Sequence, residues 1–219
     1  MFRLVLVFLA AFPAAALAQD CAPRELGNEL LQRNETDQTA RKALMANAES
    51  KEVLNRVLEI DRGNTAYMRT VLAKCGWPKR SQVGEDAAKA AWRLTQHADM
   101  DPGFQVLAAL QLKYAVLSGE ATAWDLAVLV DRNRRLTDQP QVYGMQFMTT
   151  PGKTIRFYDI VTPSQLDARR NQIGLAPFYC WATRISEQNG DAPVEWPAHV
   201  LFVPQDCADA PDSPMQATH

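Results

Sequence analysis

A single, mainly α-helical domain with one small β-hairpin and a disulfide-stapled C-terminal extension is the fold this sequence predicts. Three observations predict it. Apolar residues recur at spacings of three and four through most of residues 22–136. Strand-type signals cluster in residues 143–160, around the turn sequence Thr150-Pro151-Gly152-Lys153, with one further short run at Val200 to Val203. Four cysteines, Cys21, Cys75, Cys180 and Cys207, lie beyond an N-terminal leader, an even set that reads as two disulfides.

The first 18 residues have the form of an export signal. Arg3 gives a short positive start, Leu4 to Leu9 is apolar, and Ala16-Leu17-Ala18 supplies a small-x-small cleavage site, so the mature chain is expected to begin at Gln19. The apolar run is short of the ~20 residues a spanning helix needs and Pro13 interrupts it, which favours cleavage over anchoring. The expected location is periplasmic or secreted, with no stable membrane insertion after cleavage. Residues 19–207 form the expected domain, in three parts: N-terminal helices over 22–75, a core carrying polar clusters over 84–175, and an extension over 176–207. Residues 208–219 read as a disordered tail.

Within the first part, Leu26, Leu30 and Leu31 share helical spacing, as do Val53, Leu54, Val57 and Leu58. Asp37 and Arg41, four apart, pair on one helix face. Asn64-Thr65 reads as a cap starting a helix that stops at Gly76, before Pro78. Three disulfide connectivities are open; Cys21–Cys75 and Cys180–Cys207 are the pairing expected, each contributing ~2–4 kcal/mol by restricting the unfolded chain.

Gly84-Glu85-Asp86 opens the next helix with acidic residues suited to its N-terminal dipole. Ala87, Ala90, Ala91, Leu94 and Ala98 form a small-residue stripe, with His97 at its edge in the last turn, about 80° from the stripe centre. Phe104 to Leu117 and Ala123 to Val130 are apolar nearly all round, as buried central helices are. Tyr143 to Phe147 and Thr154 to Ile160 read as the hairpin arms. Thr162-Pro163-Ser164 starts a helix carrying Asp167, Arg169 and Arg170, closed by Gly174, and Val200 to Val203 reads as a last strand. Trp77 and Trp92 read as packing aromatics.

After removal of the leader, 201 residues carry 22 basic and 25 acidic side chains, a net charge near −3. That near balance argues against nucleic-acid binding, which needs a concentrated basic face. No nucleophile elbow, phosphate loop or dinucleotide glycine pattern is present. Three polar clusters interrupt the apolar segments: Gln96-His97-Ala98-Asp99, Asp131-Arg132, and Gln141-Val142-Tyr143-Gly144-Met145-Gln146. Polar groups near a core need partners, at a cost of ~1–3 kcal/mol each if left without one. The set is therefore a pocket lining or an internal scaffold.

As a pocket, His97 is the candidate acid or base, Asp99 or Asp131 its orienting carboxylate, and Arg132 an anion clamp. Gln141, Tyr143 and Gln146 are candidate ligand contacts, with Gly144 signalling an unusual backbone angle or a close approach. As a scaffold, His97 bonds a neighbouring group and Asp131-Arg132 closes the bundle, reaching Asp37, Asp61 or Arg41. With three histidines, one of them the terminal His219, metal ligands are scarce. No metal or cofactor is assigned.

The chain resembles a bacterial family of unknown function, DUF6624. The residues that carry the likeness run from Arg24 to Leu175. They include Arg24-Glu25-Leu26, Asp37-Gln38 with Arg41, Asp61 with Asn64-Thr65, Gly76-Trp77-Pro78, Gly84 and Trp92. The three polar clusters, Arg169-Arg170 and Gly174-Leu175 complete the ordered set. Met145 stands where the family pattern has threonine, and the four cysteines and C-terminal extension are particular to this chain. The resemblance implies a shared, mainly helical fold and brings no activity with it. Two functions are expected on these grounds. One is an exported site protein that binds a small polar ligand, with hydrolysis as its catalytic form. The other is a structural or interaction protein of the envelope, meeting an envelope partner.

Overall fold

The structure, a computed structural model, describes residues 21–150, 152–200 and 207. The expected signal over 1–18, the tail over 208–219, Pro151 of the hairpin turn and positions 201–203 of the expected last strand lie outside the described residues.

Two long helices open the domain. Helix α1 (Pro23–Ala46) begins with proline at its first position, where no backbone donor is needed. Helix α2 (Lys51–Cys75) is capped by Ser50, whose hydroxyl accepts from the Val53 N–H at 3.3 Å, and it stops at Gly76 with φ 73°. The start expected at Asn64-Thr65 does not occur, because α2 runs straight through it. The Asn64 side-chain Oδ1 accepts from Arg33 Nη1 at 3.3 Å, and the Thr65 hydroxyl donates back to the Asp61 backbone carbonyl at 2.7 Å, so neither side chain serves as a cap.

A short turn of helix, α3 (Arg80–Val83), leads into α4 (Glu85–Gln96). The alanines of α4 at 87, 88, 90 and 91 are buried, and small residues let α1 lie close along it; these two helices make the most extensive pairing in the fold. Helix α5 (Pro102–Leu117) is capped by Asp101, which accepts from Phe104 N–H at 3.0 Å; α6 (Ala123–Leu136) is capped by Thr122 through Asp125 N–H at 3.1 Å. Trp92 and Trp124 pack with centroids 5.4 Å apart, joining α4 to α6.

Helix α5 corrects the sequence reading. It buries Phe104, Gln105, Ala108, Leu112 and Ala115, yet Leu107, Leu110, Tyr114 and Leu117 on its other side are exposed. An all-round apolar composition does not say which face meets a neighbour.

The C-terminal part is built on a three-stranded sheet. Strands β1 (Phe147–Thr149) and β2 (Ile155–Phe157) pair antiparallel with Met148 opposite Arg156, and β3 (Val194–Glu195) joins β2 in parallel. The hairpin arms are shorter than expected, and the described final strand precedes position 200. A 3₁₀ turn (Pro163–Gln165) continues into α7 (Leu166–Gln172), and α8 (Phe178–Gln188) packs under the sheet through Phe178 and Phe157, centroids 4.8 Å apart. Cys21–Cys75 ties the start of α1 to the end of α2, and Cys180–Cys207 ties α8 to the extension. Among the described residues no helix is long and apolar enough to cross a membrane.

Candidate functional site

On α1 the buried stripe Leu26–Leu30 continues into Asp37, seven residues beyond Leu30 and therefore on the same face. On α2 the stripe Val57–Asp61–Asn64–Met68 likewise puts two polar groups where a core helix has hydrophobes. Helix α4 presents His97 at its C-terminal end. These three helices pack on one another and bring Asp37, Arg41, Asp61 and His97 together.

His97 Nδ1 lies 3.0 and 3.1 Å from the two oxygens of Asp37, which is 1% exposed. Arg41 Nε reaches Asp37 Oδ1 at 3.2 Å and His97 Nδ1 at 3.0 Å, while its Nη2 donates to Asp61 Oδ1 at 2.5 Å. A carboxylate only accepts, so a nitrogen facing both its oxygens carries the proton. Nδ1–H thus donates to Asp37, and Arg41 Nε–H is left to Asp37 as well. Nε2, the basic nitrogen of that tautomer, has no hydrogen-bond partner among the described residues, and 13% of the His97 side chain remains exposed. A carboxylate that orients one imidazole nitrogen and frees the other is the arrangement of a general base.

The two carboxyls are driven apart. Burial pushes Asp37 up, but the His97 hydrogen bond, the charges of His97 and Arg41 and the Gln38 amide outweigh it and hold the carboxyl below its ordinary value. For Asp61 burial prevails over Arg41 and His97, and the carboxyl sits above its ordinary value. Opposed shifts in neighbouring acids mark sites of proton transfer more often than plain surface pairs. Nearby, Nδ2 of Asn64 and Oε1 of Gln96 are buried with no partner among the described residues. A hollow of about 270 Å³ lies between α1 and α2, walled by residues that include Arg33, Thr36, Ile60 and Asn64, and its walls include none of Asp37, Arg41, Asp61 and His97.

Asp37, Asp61 and His97 also hold donor atoms within 4.8 Å of one another, a spacing a divalent cation can bridge. Arg41 already supplies positive charge to both carboxylates, so a metal would have to displace its guanidinium.

The other residues named from sequence go elsewhere. Asp99 does not orient His97: Arg132 grips it with two bonds, Nε to Oδ1 at 2.8 Å and Nη2 to Oδ2 at 2.5 Å, which also occupies the fork expected to clamp an anion. Asp131 is fully buried and is not a partner of His97 either. Its oxygens accept from the backbone N–H of Val142 (2.6 Å), Tyr143 (3.1 Å) and Met145 (2.9 Å). Burial pushes its carboxyl up against the pull of those donors and of Arg170.

Gln141 spends its amide on backbone too, donating to the carbonyls of Gln146 (3.0 Å) and Tyr158 (2.8 Å) and accepting from Gln146 N–H at 2.8 Å. Arg169 donates to the Val142 carbonyl, Arg170 to that of Tyr143, and Trp181 to that of Gly144. Burial pulls Arg170 down to about 10, so it remains a cation at neutral pH. Gly144 has φ 72°, and a Cβ there would come 2.8 Å from the Phe178 ring. The loop 142–146 does not ladder as a strand, since Asp131 takes the N–H groups of Val142, Tyr143 and Met145 and the Gln141 side chain takes that of Gln146.

Tyr143 lines a cleft of about 680 Å³ between α5 and α6, whose walls include neither His97 nor Arg132. The tips of His97, Arg132 and Tyr143 do not share one cavity. Sequence reasoning placed His97 in a site but missed Asp37, Arg41 and Asp61 as its partners, reading the first two as a pair on one helix.

A family model described as a family of unknown function (DUF6624) matches residues 24–191, and the chain belongs to that family. No curated protein and no solved structure matches the chain.

Proposed function

We propose that this protein is exported and binds a small polar ligand at the junction of α1, α2 and α4, where His97 acts as general base in a hydrolytic reaction. One observation carries the reading: Nδ1 of His97 is committed to the buried Asp37 carboxylate, and Nε2 has no partner among the described residues. In the proposed step Nε2 takes a proton from water, the hydroxyl attacks the bound substrate, and the imidazolium returns that proton to the leaving group. Asp37 holds the ring in the productive tautomer and balances the imidazolium. Arg41, shared between Asp37 and Asp61, keeps both carboxylates paired and holds Asp37 in place against the ring.

Asp37 with Arg41, Asp61 and His97, which bear the family resemblance in three separate segments, meet at this one place, which supports the reading further. Export is supported by the N-terminal sequence and by two disulfides, which persist in an oxidising compartment. Intact mass of protein recovered from the periplasm should correspond to a chain beginning at Gln19.

The test is a thermal-shift screen of the purified disulfide-bonded protein against sugars, peptides, esters and divalent metals, followed by turnover assays on the hits. Binding raises the midpoint by mass action. His97→Gln should lower turnover ~100–10,000-fold with little change in melting. If no compound shifts the midpoint and His97→Gln and Asp37→Asn only destabilise, the envelope scaffold reading replaces this one. A midpoint raised by a divalent metal alone, and lost in Asp61→Asn, would make the junction a metal centre.

A further inference from the structure

The hollow between α1 and α2 has two features that packing does not explain. Gly63 lies midway along α2, where a glycine costs stability relative to alanine. Its φ is not positive, and an added Cβ would meet nothing within 4 Å, so neither the backbone nor a neighbour requires glycine there. Gly63 lines the hollow, and a larger side chain would take up its space. The second feature is Asn64, a wall residue only 4% exposed. A guanidinium only donates, so the bond from Arg33 Nη1 fixes Oδ1 toward Arg33 and turns Nδ2 away from it. That Nδ2 has no acceptor among the described residues.

We propose that the hollow binds one neutral sugar ring, at a site separate from the junction that carries His97. The walls hold two charged residues, Glu29 and Arg33, and these already pair, with Glu29 Oε1 2.7 Å from Arg33 Nε. An anion would have to compete with Glu29, and a cation with Arg33, so a neutral ligand suits the site. The Tyr67 ring, its centroid 4.1 Å from the guanidinium carbon, holds Arg33 in place as well. What the hollow lacks is an acceptor for Asn64 Nδ2, while the carboxylate of Glu29 and the amide of Gln32 can accept hydrogens. A hydroxyl answers both needs, since it donates and accepts. Ile60 offers an apolar patch to the C–H face of a ring, three residues from the bare backbone of Gly63. A space of about 270 Å³ is just under the ~300–1,000 Å³ of pockets for drug-sized ligands, which fits a single ring rather than a chain.

Nitrogen-15 correlation spectra of the disulfide-bonded protein, titrated with glucose, galactose, mannose and N-acetylglucosamine, test this. At least one sugar should shift the Asn64 side-chain amide saturably. Gly63→Leu should weaken that binding at least tenfold and leave the melting midpoint unchanged or higher, since leucine is the better helix former and the new Cβ meets no neighbour. His97→Gln should leave the affinity within twofold, because His97 is not in the walls. The proposal is overturned if no sugar moves the amide, or if the affinity survives Gly63→Leu. It is overturned too if His97→Gln abolishes binding, which would put the sugar at the junction, or if acetate alone binds, which would give the hollow to an anion.

Discussion

The junction of α1, α2 and α4 and the loop wrapped around Asp131 are built from the same kinds of residue and use them in opposite ways. Around Asp131 the side chains serve the backbone. Val142, Tyr143 and Met145 give their N–H groups to one carboxylate, and the carbonyls of residues 142, 143 and 144 are each claimed by Arg169, Arg170 or Trp181. At the junction side chains bond one another, and the network ends on an imidazole nitrogen with no partner among the described residues. A polar cluster that spends every group on main chain sets a shape. One that ends on an unused group leaves that group open to a ligand, and the proposed chemistry is assigned there for that reason.

The largest expected effect tests the first half of that contrast. Asp131→Asn replaces an oxygen that accepts two N–H groups with an NH₂, orphaning buried donors, and should destabilise the fold by about 4 kcal/mol. Melting should fall by about 8–16 °C in calorimetry, with ligand affinity at the junction unchanged in the folded fraction. A fall of only a degree or two would mean that the loop does not depend on this carboxylate.

Gly144→Ala comes next. It forces a Cβ into Phe178 at a backbone angle that only glycine adopts freely, and about 3 kcal/mol should be lost in denaturant unfolding. His97→Gln should cost less than about 1 kcal/mol, since a glutamine amide can still donate to Asp37 and Arg41 remains in place, while turnover falls ~100–10,000-fold. If its stability loss instead rivals that of Asp131→Asn, the junction is scaffold as well. At the small end, Arg156→Ala breaks an exposed pair with Glu195 and should change stability by no more than about 0.5 kcal/mol.

Acid titration sharpens the comparison within the junction. Asp37 is held below its ordinary value, so its contribution to stability is present above that value and is lost as pH falls through its own depressed one. Asp61 is held above, so its ionised form weighs against folding and its protonation, as pH falls, restores stability. Asp37→Asn should therefore flatten the acid limb of the stability curve and Asp61→Asn should steepen it. Identical curves for the two variants would show that the carboxyls are not differentiated.

Much of the fold could be read directly. Long apolar periodicity foretold α1 and α4 and the helical character of α2, though not its continuity through Asn64-Thr65; the pairing preferred among three open cysteine connectivities is the one formed, and Gly144, which signalled an unusual backbone angle or a close approach, has both. What could not be read were relations between helices. Asp37 and Arg41 look like a surface i,i+4 pair until Asp37 is seen in register with Leu30, and Asp61 until it is set against Val57 and Met68. Asp131 gave no sign that its partners would be backbone groups of residues 142–145, because main-chain donors leave no trace in composition. The exposed side of α5 was hidden for a related reason: when every face is apolar, only the neighbours tell which one is covered.

The tautomer of His97 tests the central claim most directly, by long-range ¹H–¹⁵N correlation on labelled protein. The account predicts a protonated Nδ1 facing Asp37 and a bare Nε2 whose shift moves when a ligand is added. A proton on Nε2, with Nδ1 accepting from Arg41, would contradict it, because the open edge of the ring would then carry a donor and no base.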